Sequence, residues 1–535
     1  MNSASEPSPT PQHDSQPGTG WSAAYTAACI ALVLLVIANA VILNSSNGII
    51  DDAYIFFRYV DNMLAGHGLT WNPGELGHDR VEGYTSFLYV MLLAVPRALG
   101  AEPVASSHLI NIGLFIGVVA VAFRIMQRTF TGRRWSTLIT PLLLASSAAL
   151  GQSSRTGLEQ MLFAFLVLVA CNLHLATDQR LRSRILGGAA FGLVVLTRPE
   201  GLLAYGICAS ISLWDDRERG IGIAVTGEVK RFIGLALVVL PHLAWRLWYY
   251  GEPLPNTYYA KVGYSLANIE RGLIGGLQFL TTFRGALPAL ALIAWAIAPP
   301  SRTGRTCAAL LVGWIGYAAF FLGLSTWVAS YTVPIDWLAL MTLGYSVTAI
   351  INQRALRARL PLAMAGAFFL VANASPSVIR RVESDLPVEV ALVNARDEAM
   401  INGFIAIGEK LREIASPGDT VAVGACGAIP YLSGLVTYDT LGLNDKHIAR
   451  QPVKYPGMAA FGHEKGDGEY IGSKLPTYLI PLPAPTDEPS PSYINFSVTF
   501  SELTAIPKYR DQYEFRYVEL ENGQYFNYFE RTTGR

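Results

Sequence analysis

The sequence predicts a polytopic α-helical membrane protein with a C-terminal α/β domain outside the membrane. Hydrophobic residues make up 51% of the 535 residues and charged residues only 15%, whereas soluble globular proteins carry about a quarter charged residues. Long apolar stretches recur up to residue 379, several of them shorter than the roughly 20 residues that span a bilayer. Beyond that point the composition changes to that of a soluble domain, with short apolar strands between polar turns.

The first apolar stretch, from Trp21 to Leu43, contains no charged residue and is interpreted as a retained transmembrane helix. A signal peptide would have a basic region before a shorter apolar core, but residues 1–20 contain neither lysine nor arginine. Those residues are rich in serine, proline and threonine, which is typical of a disordered tail. A polar loop, residues 44–83, follows the helix. The apolar residues 84–99 are too few to cross the bilayer and predict a re-entrant or interfacial helix.

Ten further apolar stretches complete a transmembrane domain over residues 21–379. Compact clusters of arginine and lysine separate them, and placing these clusters in the cytoplasm gives eleven crossings with the N-terminus inside. The loop 44–83, residues 152–159, residues 251–284 and the C-terminal region then lie outside. The stretches are centred on residues 104–124, 136–150, 158–176, 185–198, 200–214, 232–250, 285–300, 306–323, 329–350 and 360–375.

Residues 380–535 are predicted to form the extracytoplasmic α/β domain. A long helical pattern comes first, two short apolar runs have the composition of buried strands, and a late hairpin turns around Glu521-Asn-Gly523. The predicted helix covers residues 388–415, the strands 420–423 and 478–480, and the hairpin 513–520 with 524–530.

An acidic pair, Asp51-Asp52, stands just beyond the first membrane helix and opens the polar loop. Phe56, Tyr59 and Met63 share one face of a helix predicted over residues 52–64, which would lie in the membrane interface. One aspartate can cap that helix, but a helix needs only one cap, so the second carboxylate is unexplained by structure alone. The loop is also dense in ionisable side chains, which favours a catalytic role for the pair. Asp51 is favoured over Asp52 as the reacting group.

Nine short motifs of polar, aromatic and glycine residues occur along the chain, mostly in the outer loops. They are Asp51-Asp52-Ala-Tyr, Gly66-His-Gly-Leu, Trp71-Asn-Pro-Gly-Glu75, Val81-Glu82-Gly-Tyr-Thr-Ser86, Gly157-Leu-Glu159, Leu196-Thr-Arg-Pro-Glu-Gly201, Tyr250 to Lys261, Asp439-Thr-Leu-Gly-Leu-Asn-Asp445 and Gly462-His-Glu-Lys465. These motifs resemble the GT-C superfamily of polyprenyl-phosphate-sugar glycosyltransferases, and within it the branch of mycobacterial terminal β-(1→2)-arabinofuranosyltransferases and related bacterial enzymes. The match covers most of the chain, and the first loop and Pro255-Asn-Thr-Tyr-Tyr-Ala-Lys261 are its most specific parts.

The resemblance implies that one sugar moves from a polyprenyl-phosphate donor in the bilayer to a cell-envelope glycan, glycolipid or glycoprotein. Transfer would take place on the outer face of the cytoplasmic membrane and invert the anomeric configuration, with an aspartate as base. Arabinofuranose is the first candidate sugar. Another pentose or a hexose is also open, because residues 323–334 lack the acid and the arginine that relatives often carry there.

Transfer of this kind needs a carboxylate that deprotonates the acceptor hydroxyl and cations that stabilise the leaving phosphate. For Arg198 and Arg246, near the ends of membrane segments, contact with lipid head groups is the alternative. Glu159 could instead be a first-turn acid that favours the helix dipole. His463 and Lys465 are assigned to the acceptor or to the C-terminal domain. The residues expected to bind the donor phosphate or sugar are Arg58, Arg80, Glu82, Arg155, Glu159, Arg198, Glu200, Arg246, Asn256, Tyr258 and Lys261.

Cofactors and other function classes are less constrained by the sequence. The five cysteines show no CxxC spacing, so neither a zinc site nor a disulfide framework is predicted, while a divalent Mg or Mn ion is left open. No nucleic-acid partner is expected. A flippase or transporter of lipid-linked saccharides is the alternative function, favoured only by Asp336 within an apolar segment. A cell-envelope sensor or scaffold would leave the ionisable first loop unexplained.

Overall fold

The structure is a computed structural model and describes most of the chain. The described residues are 23–41, 48–133, 135–176, 180–261, 266–280, 283–321, 329–353, 389–454, 463–481, 483–491 and 497–532. The predicted tail, residues 1–20, the predicted membrane segment 360–375 and residues 323–327 lie outside them.

Helices account for nearly all of the described chain before residue 354. In chain order they are α1 (Ala23–Val41), α2 (Asp51–Leu64), α3 (Phe87–Ala98), α4 (Pro103–Thr129), α5 (Ile139–Ala145), α6 (Ala148–Ser153), α7 (Gln160–Leu175), α8 (Leu181–Thr197), α9 (Gly201–Asp216), α10 (Ile221–Tyr250), α11 (Asn256–Lys261), α12 (Leu266–Leu280), α13 (Phe283–Ile297), α14 (Arg302–Phe321) and α15 (Ala329–Asn352).

Three of these helices are long and apolar enough to cross a membrane by themselves. Within the described ranges they are α1, α4 and the Thr332–Asn352 part of α15. Shorter apolar helices, among them α3 and α7, accompany them. Residues 84–99 contain the 12-residue helix α3, which is too short to span about 30 Å of hydrocarbon. The count of eleven crossings stays a prediction.

Two expectations about the helical region were wrong. The single segment expected over residues 136–150 is divided between α5 and α6, where the Ser147 side chain caps α6 by accepting from the Leu150 N–H at 3.5 Å. The loop expected over residues 251–284 contains α11 and α12. Hydropathy missed α12 because charged residues and glycines interrupt its apolar pattern. Its single arginine, Arg271, forms an ion pair with Glu464 at 2.9 Å.

Close packing of α8 against α10 depends on glycine. A Cβ atom at Gly188 would lie 1.7 Å from the Arg231 carbonyl oxygen, and one at Gly234 would lie 2.0 Å from that of Ile185. Because glycine has no side chain, the backbones of α8 and α10 can approach each other closely at Gly188 and Gly234, as in many membrane helix pairs.

Residues 389–532 contain a five-stranded mixed sheet with helices around it. Strand β1 lies between β2 and β3 and is parallel to both, and the sheet order is β2-β1-β3-β5-β4. Strand β5 is antiparallel to β3 and β4. The elements are α16 (Glu389–Ile414), β1 (Thr420–Val423), α17 (Ala428–Ser433), β2 (Val436–Asp439), α18 (Lys446–Ala449), α19 (Gly468–Ser473), β3 (Tyr478–Ile480), α20 (Val498–Ala505), α21 (Pro507–Arg510), β4 (Tyr513–Glu519) and β5 (Tyr525–Arg531).

The predicted helix, strands β1 and β3 and the β4–β5 hairpin are present within one or two residues of their expected bounds. Strand β2 was not predicted. Its sequence, Val-Thr-Tyr-Asp, has no apolar run, and its two fully buried side chains are the polar Thr437 and Asp439. The Asp439 carboxylate is satisfied by the backbone N–H groups of Leu441 and Asn444, at 2.9 and 2.7 Å. Pairing with β1 therefore adds this polar strand at one edge of the sheet.

Candidate active site

Helix α2 begins at the acidic pair, but neither aspartate caps it. Its N-cap is Ile50, and no side chain satisfies the cap. The Asp51 carboxylate instead accepts hydrogen bonds from the N–H groups of Gly427, at 3.0 Å, and Ala428, at 2.7 Å. These groups open α17, so Asp51 caps a helix of the C-terminal region. Burial raises the pKa of Asp51 to about 7, although the two amide bonds lower it.

Asp52 is exposed, and no hydrogen bond or ion pair engages its carboxylate within the described ranges. The segment that carries Glu159 packs on the start of α2, where a Cβ atom at Gly157 would lie 2.7 Å from the Ala53 Cβ atom. Burial is the main cause that raises the pKa of Glu159, and the negative charge of Asp52 adds to that shift. The two neighbouring acids therefore have different surroundings, with Asp51 bound to α17 and Asp52 free to meet a ligand.

A buried charged cluster, Glu159, Arg198 and Glu200, stands beside Asp52. Arg198 is 3.5 Å from Glu159 and 3.5 Å from Glu200, and these side chains are less than 10% exposed. The Tyr317 hydroxyl donates to Glu200 at 3.1 Å. Glu159 directly precedes α7, Arg198 directly follows α8, and Glu200 directly precedes α9. The structure thus brings together three predicted site residues at the ends of three helices.

Two predicted phosphate-binding arginines have no acidic partner within the described chain, namely Arg80 and Arg155. The turn that carries Arg155 packs on the start of α2, where the Ile50 N–H donates to the Thr156 carbonyl at 3.3 Å. The Arg80 guanidinium lies over the Tyr249 ring, 4.2 Å from its centroid. In both arginines the Nε is buried without a hydrogen-bond partner. Both side chains are therefore available to bind an anion.

Arg58 was expected to contact the donor, but its nitrogens are already occupied. Nε donates to the Trp71 carbonyl at 2.8 Å, and Nη2 donates to Asn72 Oδ1 at 3.0 Å and to the Leu435 carbonyl at 2.8 Å. Nη1 donates to the Pro430 carbonyl. Burial lowers the pKa of Arg58 to about 10. A phosphate would have to displace these carbonyl groups to reach Arg58, and the donor-binding role of Arg58 stays a prediction.

Glu82 and Arg246 form a buried ion pair with each other. The Arg246 Nε lies 2.8 Å from Glu82 Oε2, and Nη2 donates to Oε1 at 3.1 Å. Glu82 is only 2% exposed. Burial raises its pKa to about 7, while Arg246 lowers it. This pair joins the end of the first loop to the end of α10, and the donor contacts expected of the two residues stay predictions.

The raised pKa of Glu82 predicts a pH dependence of stability. Since the folded-state pKa of about 7 lies above the ordinary value of 4.5, the folded protein binds more protons than the unfolded chain between these values. The contribution of Glu82 to stability is therefore fully present below pH 4.5 and is lost as the pH rises through 7. Thermal unfolding at pH 5 and pH 8 should show a smaller difference in Glu82→Gln than in the wild type. The exposed acid variant Glu488→Gln is the control; equal differences in both variants would contradict the assignment.

The remaining predicted residues lie where the segment after α10 meets the C-terminal region. Asn256 Nδ2 donates to the Gly442 and Leu443 carbonyls at 2.8 and 3.0 Å. Lys465 Nζ donates to the Tyr259 and Ala449 carbonyls, at 2.6 and 2.7 Å. These bonds show that Asn256 and Lys465 hold the two regions together. The donor-binding role of Asn256 and the assignment of Lys465 to the acceptor or to the C-terminal domain stay predictions.

Three further predicted residues are near the same contact. Tyr258 and Lys261 lie in α11, and the Tyr258 ring makes an edge contact with Tyr259 at 5.6 Å. His463 is partly buried next to Glu464. Their roles in donor and acceptor binding stay predictions.

Sequence reasoning missed the contact between the first loop and the C-terminal region. Asn72 Oδ1 accepts from the Thr437 N–H at 2.9 Å, and the Tyr59 hydroxyl lies 3.3 Å from Asn444 Oδ1. The motifs around Trp71 and Asp439 were each noticed, but nothing in a single sequence pairs them. The sequence feature that matches this contact is the glycine at position 83. In the structure a Cβ atom there would lie 1.7 Å from Asn444 Oδ1, so only glycine leaves room for the asparagine side chain.

Comparisons with known proteins give a partial sequence match and a match of fold. A family model described as a domain of unknown function, DUF8728, matches residues 393–529. The terminal β-(1→2)-arabinofuranosyltransferase of Mycobacterium tuberculosis is 32% identical over 231 residues. That match covers 40% of this chain and 35% of the relative, so the matched part is about a third of the relative's length.

Two solved structures share the fold at low sequence identity. The chain is similar to ArnT from Cupriavidus metallidurans bound to undecaprenyl phosphate, with a TM-score of 0.51, 14% identity and coverage of 78% of this chain and 86% of that one. It is also similar to the Archaeoglobus fulgidus oligosaccharyltransferase in complex with zinc and sulfate. There the TM-score is 0.51, the identity 13%, and the coverage 77% of this chain and 62% of that one.

Proposed function

We propose that this chain is a membrane glycosyltransferase of the GT-C superfamily, and we propose a specific reaction for it. It transfers a single sugar from a polyprenyl-phosphate donor to a cell-envelope glycan, glycolipid or glycoprotein, with inversion at the anomeric carbon. Asp52 is the base. The observation that carries the proposal is the free, exposed Asp52 carboxylate beside the buried cluster of Glu159, Arg198 and Glu200.

The reaction needs one base and a stabilised leaving group. The Asp52 carboxylate takes the proton from an acceptor hydroxyl as that oxygen attacks the anomeric carbon. A bond forms between the hydroxyl oxygen and the anomeric carbon, and the bond from that carbon to the phosphate oxygen breaks on the opposite face. Polyprenyl phosphate leaves with the electron pair. Arg155 and Arg80, which have no acidic partner in the described chain, bind the phosphate charge.

The donor class is supported by chemistry on this chain and by the named relatives. The free arginines lie in loops at helix ends, and apolar helices that can meet a lipid tail precede and follow them. One relative is named for arabinofuranosyl transfer and one solved structure for bound undecaprenyl phosphate. Arabinofuranose is therefore the first sugar to test, followed by other pentoses and hexoses.

The reaction is proposed to take place on the outer face of the cytoplasmic membrane. The arginine and lysine clusters place the N-terminus in the cytoplasm and the loop 44–83 and residues 380–535 outside. A reporter fused after Arg535 should then be active in the periplasm. Across the described part of the chain, His, Cys, Asp and Glu side chains form no group of three or more that could hold a metal ion.

A flippase or transporter of lipid-linked saccharides is the second candidate. It is favoured by Asp336, which is 3% exposed inside the apolar helix α15, since acids at such depth often mark transport pathways. The decisive experiment uses the purified protein in lipid nanodiscs, where no second compartment exists. Labelled polyprenyl-phospho-arabinofuranose and an arabinan acceptor should give a labelled product of inverted configuration by NMR. Loss of donor from one leaflet of a vesicle, with no labelled product in nanodiscs for any pentose or hexose donor, would establish the transporter.

Arg155→Gln tests the phosphate contact. Since the side chain has no ion pair to lose in the described chain, the variant should fold normally, and KM for the donor should rise by about 10-fold, as expected for one charge-assisted bond. Arg182→Gln, an exposed change at the start of α8, is the control. An unchanged KM in Arg155→Gln would remove Arg155 from the donor site.

A further inference from the structure

The short helix α17 lies along α2 and is held at both of its ends by charged side chains of α2. The Asp51 carboxylate binds the N–H groups of Gly427 and Ala428 at the amide end of α17. Arg58 donates to the carbonyls of Pro430 and Leu435 at its other end. An acid at the amide end and a cation at the carbonyl end of a helix are both stabilising arrangements. We call these contacts the α17 clamp.

The α17 clamp fixes the rotation of α2 about its own axis. Asp51 and Arg58 are seven positions apart, which is about two helical turns, so both project from the same face of α2. A third contact lies between these two residues along the helix, where the Tyr431 ring of α17 packs 5.6 Å from Tyr54 and 6.0 Å from Phe57. Contacts at successive turns of one face oppose rotation more strongly than a single contact does.

Asp61 continues the attachment beyond the clamp. Its carboxylate accepts from the Tyr431 hydroxyl at 2.9 Å and from Arg97 Nε at 2.6 Å. Helix α2 is thereby bound to α3 as well as to α17 near its end. Charged side chains hold both ends of the base-bearing helix. At the end next to Asp52, the Asp51 carboxylate binds the C-terminal region, and the Ile50 N–H donates to the Thr156 carbonyl at 3.3 Å.

We propose that α17 is a positioning element for the base, so that the C-terminal region controls the rate of sugar transfer through the direction of Asp52. Asp52 is the next residue after Asp51 and projects about 100° farther round α2. Rotation of α2 would turn it away from the cluster of Glu159 and Arg198. The inference rests on the proposed function. Asp51 and Arg58 are positioning residues in this scheme, because they act through Asp52.

Gly427 gives a way to open the clamp without changing any acid or arginine. A Cβ atom there would lie 1.9 Å from the Asp51 carbonyl oxygen and 2.6 Å from the Asp51 carboxyl carbon. A methyl group would therefore push the start of α2 away from α17. Gly424 is in the same loop, but its Cβ atom would meet its nearest neighbours, Leu441 and Thr440, at 3.4 Å, an ordinary contact distance. Gly424→Ala is thus the matched control for Gly427→Ala.

The test compares Gly427→Ala, Gly424→Ala and wild type in nanodiscs by two measurements. Steady-state transfer should show kcat about 100-fold lower in Gly427→Ala with KM for the donor unchanged, since a shift of about 1 Å at a catalytic group can cost that much. Hydrogen–deuterium exchange should rise in peptides covering residues 51–64. Gly424→Ala should match wild type in both.

Each result decides the proposal. Normal hydrogen–deuterium exchange over α2 in Gly427→Ala would show that α17 does not hold α2. Raised exchange with an unchanged kcat would show that α17 holds α2 but does not position the base, and either result overturns the proposal. If the wild type transfers no sugar while Gly427→Ala loosens α2, the proposed function fails but the clamp stands. Should Gly427→Ala not fold, Arg58→Lys replaces it, because one ammonium cannot serve the carbonyls of Trp71, Pro430 and Leu435 together. A lower kcat and raised exchange are again expected, and wild-type values would overturn the clamp.

Discussion

Asp52→Asn is expected to lower the rate of sugar transfer by about 1,000-fold, within the usual range for loss of a general base. Asparagine has nearly the same shape as aspartate but cannot take the proton of the acceptor hydroxyl. Because Asp52 is exposed and has no partner in the described chain, the substitution removes no contact of the fold. The amount of protein in the membrane and its melting temperature should therefore stay at wild-type values.

Two other acids of the first loop separate a chemical effect from a structural one. In Asp51→Asn, the side chain has only one oxygen to accept from the two N–H groups that start α17. The melting temperature of this variant should therefore fall together with its rate of sugar transfer. Asp79→Asn changes another exposed acid of the same loop and should behave as wild type. Full activity of Asp52→Asn with a defined donor would show that Asp52 is not the base.

Arg246→Met is expected to destabilise the protein by about 3–5 kcal/mol, the usual cost of removing one partner from a buried ion pair. Methionine fills much of the arginine volume but leaves Glu82, which is 2% exposed, without a cation. The pKa of Glu82 should then rise above the value of about 7 that it has beside Arg246, because the attraction that lowers it is gone. Thermal unfolding in nanodiscs at pH 8 measures the effect.

The double variant Arg246→Met/Glu82→Gln identifies the cause of that loss. Since glutamine carries no charge, it should recover much of the stability, and the two substitutions should be strongly non-additive. Arg182→Met, an exposed substitution at the start of α8, controls for the change of arginine to methionine. Additive effects of Arg246→Met and Glu82→Gln would contradict the description of the two residues as one buried pair.

The parts of the fold that follow from local pattern could be predicted from the sequence. Strands β1 and β3 are apolar runs, and the Asn-Gly turn marks the hairpin of β4 and β5, so all were expected close to where they lie. Strand β2 and helix α12 were missed because each depends on a distant partner. The polar strand β2 is stabilised by pairing with β1, and Arg271 of α12 by Glu464.

The same limit applies to the candidate site. Glu159, Arg198 and Glu200 were selected separately for charge and position at helix ends, and the structure brings them together. Arg58 and Asn256 were also selected as polar residues in matching motifs, but their partners are backbone carbonyls of the C-terminal region. A sequence gives the charge of a side chain and not the groups that already satisfy it. Asp51 was preferred to Asp52 as the base for the same reason. The N–H groups of Gly427 and Ala428 that bind the Asp51 carboxylate lie 376 and 377 positions from it along the chain, so local sequence gives no sign of them.

Chemical rescue is the measurement that tests the identity of the base most directly. Asp52→Ala and Asp51→Ala would be assayed for sugar transfer with increasing formate, a small carboxylate that can enter the space left by the missing side chain. Formate should restore transfer in Asp52→Ala, with a rate that rises with its concentration, and should leave Asp51→Ala unchanged because the lost cap is structural. Rescue of Asp51→Ala with no rescue of Asp52→Ala would contradict the account and assign the base to Asp51.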